Sequence, residues 1–337
     1  MKRETSPTNP SARPCRVAVL IPCYNEAQTV GQVVRDFRAQ LPDAEVWVFD
    51  NRSTDRTVEE ARRAGALIGR EPRPGKGYVI RTMFRQVEAD VYVMVDGDGT
   101  YPADRVHELL RPVIADEADM AIGSRLLAGA SSRFKILNQV GNRLFRFLLN
   151  TLFRVHVTDL FSGYRAMNRR VVKGLPFLSR GFESETELTV KCLGRDLRIV
   201  EIPVSLAPRP AGSYSKLHIV RDGLLNLETI VALLRDYKPL TAFGSIGAFL
   251  VICGLVPGVV VIKEFLETGL VPRLPSAVLA VGLIVSGLLV SFVGLVLHSI
   301  ARHFQELDSQ MQRLLEDRTM TPPRSESAPR REPPSSS

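Results

Sequence analysis

Cysteine is scarce in this chain of 337 residues: Cys15, Cys23, Cys192 and Cys253 are all it has, and their spacings suit neither a disulfide framework nor a zinc site. That excludes a cystine-stapled secreted domain and fits a reducing compartment. The five histidines form no ligand cluster. No charged-then-apolar segment opens the sequence, so no secretory leader is expected. Charge itself is missing from two long runs, 239–262 and 274–301, which contain no Asp, Glu, Lys or Arg. Each exceeds the roughly 20 residues that cross a hydrocarbon core as a helix. Two such runs in succession argue for a transmembrane hairpin over 239–301, with spans at 239–262 and 274–300, rather than for buried helices of a soluble protein.

The connector between the runs carries two acidic and two basic residues, whereas Arg235, Lys238, Arg302 and Arg313 flank the hairpin on its outer side. Positive flanks stay in the cytoplasm, so an integral membrane protein with both termini and its main domain on the cytoplasmic side is expected. Residues 1–14 are rich in Pro, Ser and Arg with few large apolar residues, and so is the end of the 302–337 tail; both are expected to be largely disordered. The net charge of +8 suits lipid headgroups and phosphates. Nucleic acid is not an expected partner.

Between the tails, apolar runs at 16–21, 45–49 and 91–95 read as short buried strands, each followed by helical spacing, at 27–40, 55–65 and 102–111. Strands alternating with helices predict an α/β layer fold with a mainly parallel sheet over residues 15–215. Ligands of such sheets bind beyond the carboxyl ends of the strands. A second pattern precedes the first apolar run. Leu217, Val220, Leu224, Leu227, Val231 and Leu234 step by three and four, which suits either a core-facing helix or, beside a membrane run, an amphipathic juxtamembrane helix over 216–238.

The chemistry concentrates at strand ends. VYVMVDGDGTYPAD drives an apolar strand into Asp96 and Asp98, one residue apart. In an extended segment both carboxylates face the same side, as a hard cation requires, although Asp and Gly also make ordinary turns. Gly97 and Gly99 leave room for a diphosphate to approach the backbone. VAVLIPCYNE ends a strand at Pro22 and leads through Tyr24 to Asn25 and Glu26, either of which suits a helix cap. After the second strand, Asp50 faces the crevice while Ser53 or Thr54 can cap the next helix. RPGKG places Lys76 between glycines but lacks the spacing of a Walker loop, which argues against an ATPase.

In this order IPCYNE, DNRSTDRT, RPGKGYVIRTMF, DGDGTYPAD, GSR and DLFSGYRAM closely resemble the family 2 glycosyltransferases over about residues 15–240. Within that family the chain is most similar to the branch that moves a sugar from a nucleotide to a polyprenyl phosphate, the dolichyl-phosphate mannose synthase-like enzymes. The resemblance implies a GT-A fold, a divalent metal (Mg²⁺ or Mn²⁺) and inversion at the anomeric carbon. It further implies that Pro22, Tyr24, Glu26 and Asp50 line the nucleotide pocket, that Lys76 lies near the diphosphate, and that Asp96 and Asp98 hold the metal. The chain departs from the pattern at Asn51 and Thr100, where many relatives carry Asp and Gln.

The acceptor in that branch is a phosphate monoester with a second pKa near 6, already largely anionic at neutral pH, as phosphorylated side chains are. Orientation then matters more than a strong base. Cations are therefore expected at the acceptor phosphate, with Arg125, Arg133, Arg209 and Lys216 the candidates and Lys135 and Arg143 behind them. Asp159 suits either positioning the acceptor or accepting a proton. Glu185 and Glu187 in GFESETEL fall on different helix faces, and either can be structural. The expectation is transfer of a hexosyl group from a UDP- or GDP-sugar to a polyprenyl phosphate at the cytoplasmic leaflet. A glycolipid-forming transferase with another lipid acceptor and a non-catalytic membrane adaptor are the alternatives. Gly244, Gly247, Gly282 and Gly287 permit close helix packing and with it a homo-oligomer.

Overall fold

The computed structural model describes residues 15–125, 157–208 apart from 180 and 182, residues 232 and 235, and residues 238–320. Arg133, Lys135, Arg143, Arg209 and Lys216, nearly all of the expected helix over 216–238, and the tails 1–14 and 321–337 lie outside the described residues. Two compact units part between residues 233 and 234.

The first unit alternates strands and helices: β1 (Val17–Cys23), α1 (Val30–Gln40), β2 (Glu45–Asp50), α2 (Thr57–Arg63), β3 (Leu67–Arg70), α3 (Lys76–Gln86) and β4 (Val91–Met94). A 3₁₀ turn (Ala103–Arg105), α4 (Val106–Ile114), β5 (Met120–Ser124), β6 (Arg165–Asn168), α5 (Arg169–Gly174), α6 (Ser184–Gly194) and β7 (Ile199–Pro203) follow. The seven strands lie in the order β3-β2-β1-β4-β6-β5-β7. All pairings are parallel except those of β6, which runs opposite to both β4 and β5.

Both faces of the sheet are covered, which is why its strands read as unbroken apolar runs. On one face Val19, Ile21, Val48 and Val93 pack with Val30, Val34 and Phe37 of α1 and Leu109 and Leu110 of α4. On the other, Ala18, Leu20, Tyr92 and Met94 pack with Ile80 and Met83 of α3, Val171 and Val172 of α5, and Leu188 of α6. Full burial of each large aliphatic or aromatic side chain stabilises by about 1.5–3 kcal/mol. Truncating Phe37, which is wholly buried, to alanine would cost about 3–5 kcal/mol.

The expected strands are present, and the helices start later than their spacing predicts. Residues 27–29 form a turn ahead of α1, and the 102–111 segment divides into the 3₁₀ turn and α4. Neither Ser53 nor Thr54 caps α2; the Asp55 carboxylate accepts the Thr57 amide instead, at 3.0 Å.

The second unit holds α7 (Pro239–Thr268) and α8 (Leu274–Met320). Gly269 ends α7 in the left-handed region at φ 71° and donates its amide to Phe265 O at 2.8 Å. The two helices meet at glycines. A Cβ on Gly287 would lie 2.6 Å from the Gly247 carbonyl, and one on Gly294 2.7 Å from Phe243 Cβ, so only glycine allows this approach. Their outer faces are apolar, with Phe249 65% and Phe292 63% exposed. Both helices are long and apolar enough to cross a membrane. Helix α8 runs past its apolar stretch, so residues 302–320 of the expected tail are helical.

Candidate active site

The reversed strand β6 creates the site. Arg165 at its start lies opposite Met94 near the end of β4 and opposite Ile122 near the end of β5. The segment leading into β6, residues 159–164, therefore sits at the same edge of the sheet as the segments leaving β4 and β5. The ends of β1 and β2 lie beside them, Cys23 opposite Asp50.

Asp96 and Asp98 follow β4 at this edge. Lys76, at the first position of α3, places Nζ 2.6 Å from Asp96 Oδ1 and 2.5 Å from Oε1 of Glu185 on α6. Glu185 is buried, and its other oxygen accepts the Ser184 hydroxyl at 2.8 Å. Burial alone would lower the Lys76 pKa, but Asp96 and Glu185 overcome it and raise it, so the ammonium is fixed as a cation. Asp96 is backed by Gly163, where any Cβ would overlap its carboxylate. Asp98 Oδ1 accepts the Thr100 amide at 3.1 Å and the Thr100 hydroxyl at 2.7 Å. Thr100 thus orients Asp98. Gly99 adopts φ 72°, a conformation that favours glycine.

Among the described residues no three His, Cys, Asp or Glu side chains gather into a metal cage. A pair of carboxylates nevertheless suits Mg²⁺ or Mn²⁺ used with a phosphorylated ligand, because Mg²⁺ is usually held by one or two carboxylates plus substrate phosphates and waters. Oxygen-only ligands at a strand end meet that requirement.

On the β1–β2 side, Asp50 Oδ1 accepts the Ser53 amide at 3.1 Å and shapes the turn after β2. The Asn25 amide donates to Ser53 Oγ at 2.9 Å and the Glu26 amide to Thr57 Oγ1 at 2.8 Å. Loops carrying Pro22, Tyr24, Glu26 and Asp50 are thereby knitted together, with Tyr24 exposed and Asp50 buried. Asn51 is committed elsewhere. Its side-chain NH₂ donates to Glu71 O at 3.0 Å and Arg73 O at 2.7 Å, and its carbonyl accepts the Gly75 amide at 2.8 Å. It clamps the loop that ends in Lys76. Within that loop the Arg73 side chain pairs with Glu71 at 2.8 Å and 3.0 Å and lies over the Tyr78 ring. Arg73, with the Thr82 hydroxyl beside it, holds the buried Glu71 carboxyl down to about 2.

Beyond β5, Arg125 donates to the buried Asp159 through its backbone amide at 2.9 Å, Nε at 2.7 Å and Nη2 at 2.7 Å. Both oxygens of Asp159 are engaged by this one residue, so Asp159 orients Arg125. Glu201 on β7 holds the segment from behind, accepting the Asp159 amide at 2.9 Å and the Thr158 amide at 3.0 Å. Arg165, fully buried, donates to Leu160 O at 2.8 Å, Ser162 O at 2.9 Å and Thr189 Oγ1 at 2.8 Å. Burial lowers its pKa. The Gly163 amide donates to Tyr101 OH at 3.0 Å, fastening the segment to the loop that carries Asp98.

Lys76 and Asp96 are thus in direct contact, as are Arg125 and Asp159. Glu187 turns away from this cluster to Lys191 at 2.6 Å and to the amides of Leu178 and Ser179. The sequence reading allowed Glu185 a structural part and gave no role to Asn51, Arg165 or Glu201. Asn51 carried a signal as a departure from its motif, Arg165 lies within DLFSGYRAM, and Glu201 stands in none of the quoted motifs.

A family model described as glycosyl transferase family 2 matches residues 18–175. The chain is 36% identical over 239 residues to glycosyltransferase AglJ of Haloferax volcanii, covering 69% of this chain and 77% of that protein. It is 31% identical to a dolichyl-phosphate hexose transferase of the same organism, covering 57% of this chain and 83% of the relative. Among solved structures, glucosyl-3-phosphoglycerate synthase of Mycobacterium tuberculosis, crystallised with Mn²⁺, uridine diphosphate and glucosyl-3-phosphoglycerate, has a similar fold. The TM-score is 0.54 at 22% identity, over 66% of this chain and 79% of that one.

Proposed function

The chain belongs to glycosyltransferase family 2, and on that premise we propose that it transfers a hexosyl group, with inversion, from a UDP- or GDP-sugar to a polyprenyl phosphate at the cytoplasmic leaflet. The observation that carries this reading is the pair Asp96 and Asp98 at the end of β4 with the Lys76 ammonium beside it, in a chain that also holds two helices of membrane length. A relative named as a dolichyl-phosphate hexose transferase supports the acceptor class.

Asp96 and Asp98 would hold Mg²⁺ or Mn²⁺. When bound, the ion neutralises the charge that grows on the departing nucleoside diphosphate. Pro22, Tyr24, Glu26 and Asp50 line the nucleotide side, and Lys76 adds positive charge where the diphosphate leaves. Arg125, its planar fork held by Asp159, presents a fixed guanidinium to the acceptor phosphate. That phosphate is already an anion, so Asp159 serves best by orienting Arg125 rather than by removing a proton. Arg133, Arg209 and Lys216 would complete the acceptor cations. A lipid acceptor and an enzyme anchored by two helices share one bilayer, which raises the acceptor's local concentration.

The test supplies the purified full chain with a panel of UDP- and GDP-sugars and a short polyprenyl phosphate. An acid-labile, chloroform-soluble sugar phosphate is the expected product. An acid-stable glycolipid, or no transfer to polyprenyl phosphate with any donor, would overturn the acceptor assignment.

A further inference from the structure

Lys76 sits where a metal-binding carboxylate would otherwise face the crevice alone. Its Nζ is 2.6 Å from Asp96 Oδ1 and 2.5 Å from Glu185 Oε1. We infer that Lys76, tethered by Glu185, is a built-in counterion that holds Asp96 until the donor's diphosphate draws the ammonium away and leaves the carboxylate to a divalent cation. The inference rests on the reading of Asp96 and Asp98 as metal ligands and adds to it an order of events.

Three features make the lysine the movable partner. Asp96 is backed by Gly163, whose missing Cβ is the space its carboxylate fills, so Asp96 has little room to swing away on that side. Glu185 is buried on α6, and its Oε1 has no hydrogen-bond partner besides the Lys76 ion pair among the described residues. Losing that cation entirely would strand a buried carboxylate oxygen, which is costly. The four-carbon stem of lysine resolves this, since it can pivot about Glu185 while releasing Asp96. The backbone at the pivot is fixed, because Asn51 clamps Gly75 at 2.8 Å and Gly75 itself adopts φ 130°.

The energetic consequence is a coupling between metal and nucleotide. A divalent cation arriving alone must displace an ammonium from a carboxylate in a partly buried site. With a diphosphate present the ammonium has other anionic oxygens to meet, and the displacement becomes cheap. Each ligand therefore strengthens the other, by about tenfold on the usual scale of coupling between two sites. Glu185 is a positioning residue in this scheme, because it acts on the ligands only through Lys76.

Mn²⁺ binding to the purified full chain, read from the loss of the free-ion electron paramagnetic resonance signal, tests this without any turnover. Wild type is expected to bind Mn²⁺ weakly alone and about tenfold more tightly with UDP or GDP. Lys76→Met is expected to bind Mn²⁺ alone about tenfold more tightly than wild type and to gain less from nucleotide than wild type does, the part that remains coming from phosphate oxygens on the ion itself. A simple change in local charge would tighten Mn²⁺ but leave the nucleotide gain in place, so the second readout separates the two. If Lys76→Met does not fold, Lys76→Gln carries the same expectation. Mn²⁺ affinity unchanged in the lysine variants, a nucleotide gain in them as large as that of wild type, or no gain in wild type would each overturn the inference. Asp98→Asn distinguishes this from failure of the metal reading, since Mn²⁺ binding that persists undiminished in Asp98→Asn sinks the clamp itself.

Discussion

The side-chain carbonyl of Asn51 accepts the backbone amide of Gly75 at 2.8 Å, and its NH₂ group donates to the carbonyls of Glu71 and Arg73. One buried amide thus fixes the loop that presents Lys76. An aspartate in its place could accept from Gly75 but could donate to neither carbonyl. Asn51→Asp is expected to destabilise the first unit by about 1–3 kcal/mol, the usual cost of unsatisfied buried groups. UDP or GDP affinity should fall with it, because Lys76 loses its fixed base. Thermal melting and nucleotide titration of the variant check both.

Asp98→Ala removes a buried carboxylate that accepts two hydrogen bonds from Thr100. The fold should survive, with a stability loss of about 1–2 kcal/mol from those bonds. Sugar transfer should drop by more than about 100-fold, as expected when charge stabilisation of the leaving group is lost. Wild-type-like activity in folded Asp98→Ala would defeat the mechanism.

Arg125 and Asp159 should behave as one unit. Asp159→Asn leaves a largely buried guanidinium, with 16% side-chain exposure, facing a neutral partner. Breaking such a pair from one side costs about 3 kcal/mol or more. Replacing both, as Asp159→Asn with Arg125→Gln, should cost clearly less than the sum of the single changes. A double-mutant cycle in denaturant, with the acceptor KM measured in each variant, gives the answer. Additive losses would mean that Asp159 does not work through Arg125.

Glu71 links stability to pH. Its hydrogen bonds from Arg73 chiefly, and from Thr82, depress its carboxyl from 4.5 to about 2 in the folded chain. A depressed acid stabilises the fold above its unfolded pKa, and that contribution is lost as pH falls through the window from about 4.5 to about 2. Glu71→Gln should therefore be less stable than wild type at pH 7, and the gap should narrow steadily below pH 4.5. A constant gap across that window would show that the charged form of Glu71 is not what stabilises.

The parts of this molecule that could be read from its sequence are those whose reasons are local. β1, β2 and β4 are continuous apolar runs because α1 and α4 cover one face and α3, α5 and α6 the other. Asp96 and Asp98 are legible because two carboxylates at a strand end need no distant partner to be noticed. Helix α1 starts late because the amides of Asn25 and Ala27 are taken by Ser53 and Asp55 of the β2–α2 loop and that of Glu26 by Thr57 at the start of α2. Local spacing carries no trace of that tertiary cap. The partner of Glu185 was illegible for the same reason: Lys76 belongs to a different helix far back in the chain. Arg165 lies within DLFSGYRAM, but nothing local shows that it is buried and ties down the carbonyls of Leu160 and Ser162.

The reversed strand β6 also bears on how the chain is made. Once Ser124 has left the ribosome and before Arg165 has, β4 and β5 are both exposed without the neighbour that separates them in the finished sheet. Both then present an open edge able to recruit another chain. Ribosome-bound nascent chains halted with Ser124 clear of the exit tunnel and Arg165 still inside it are expected to be captured by chaperones or to aggregate. Chains long enough to have inserted β6 should resist a protease pulse that cuts the shorter ones. The strand that assembles the edge of the candidate site is thus also the one that closes a hazard during translation.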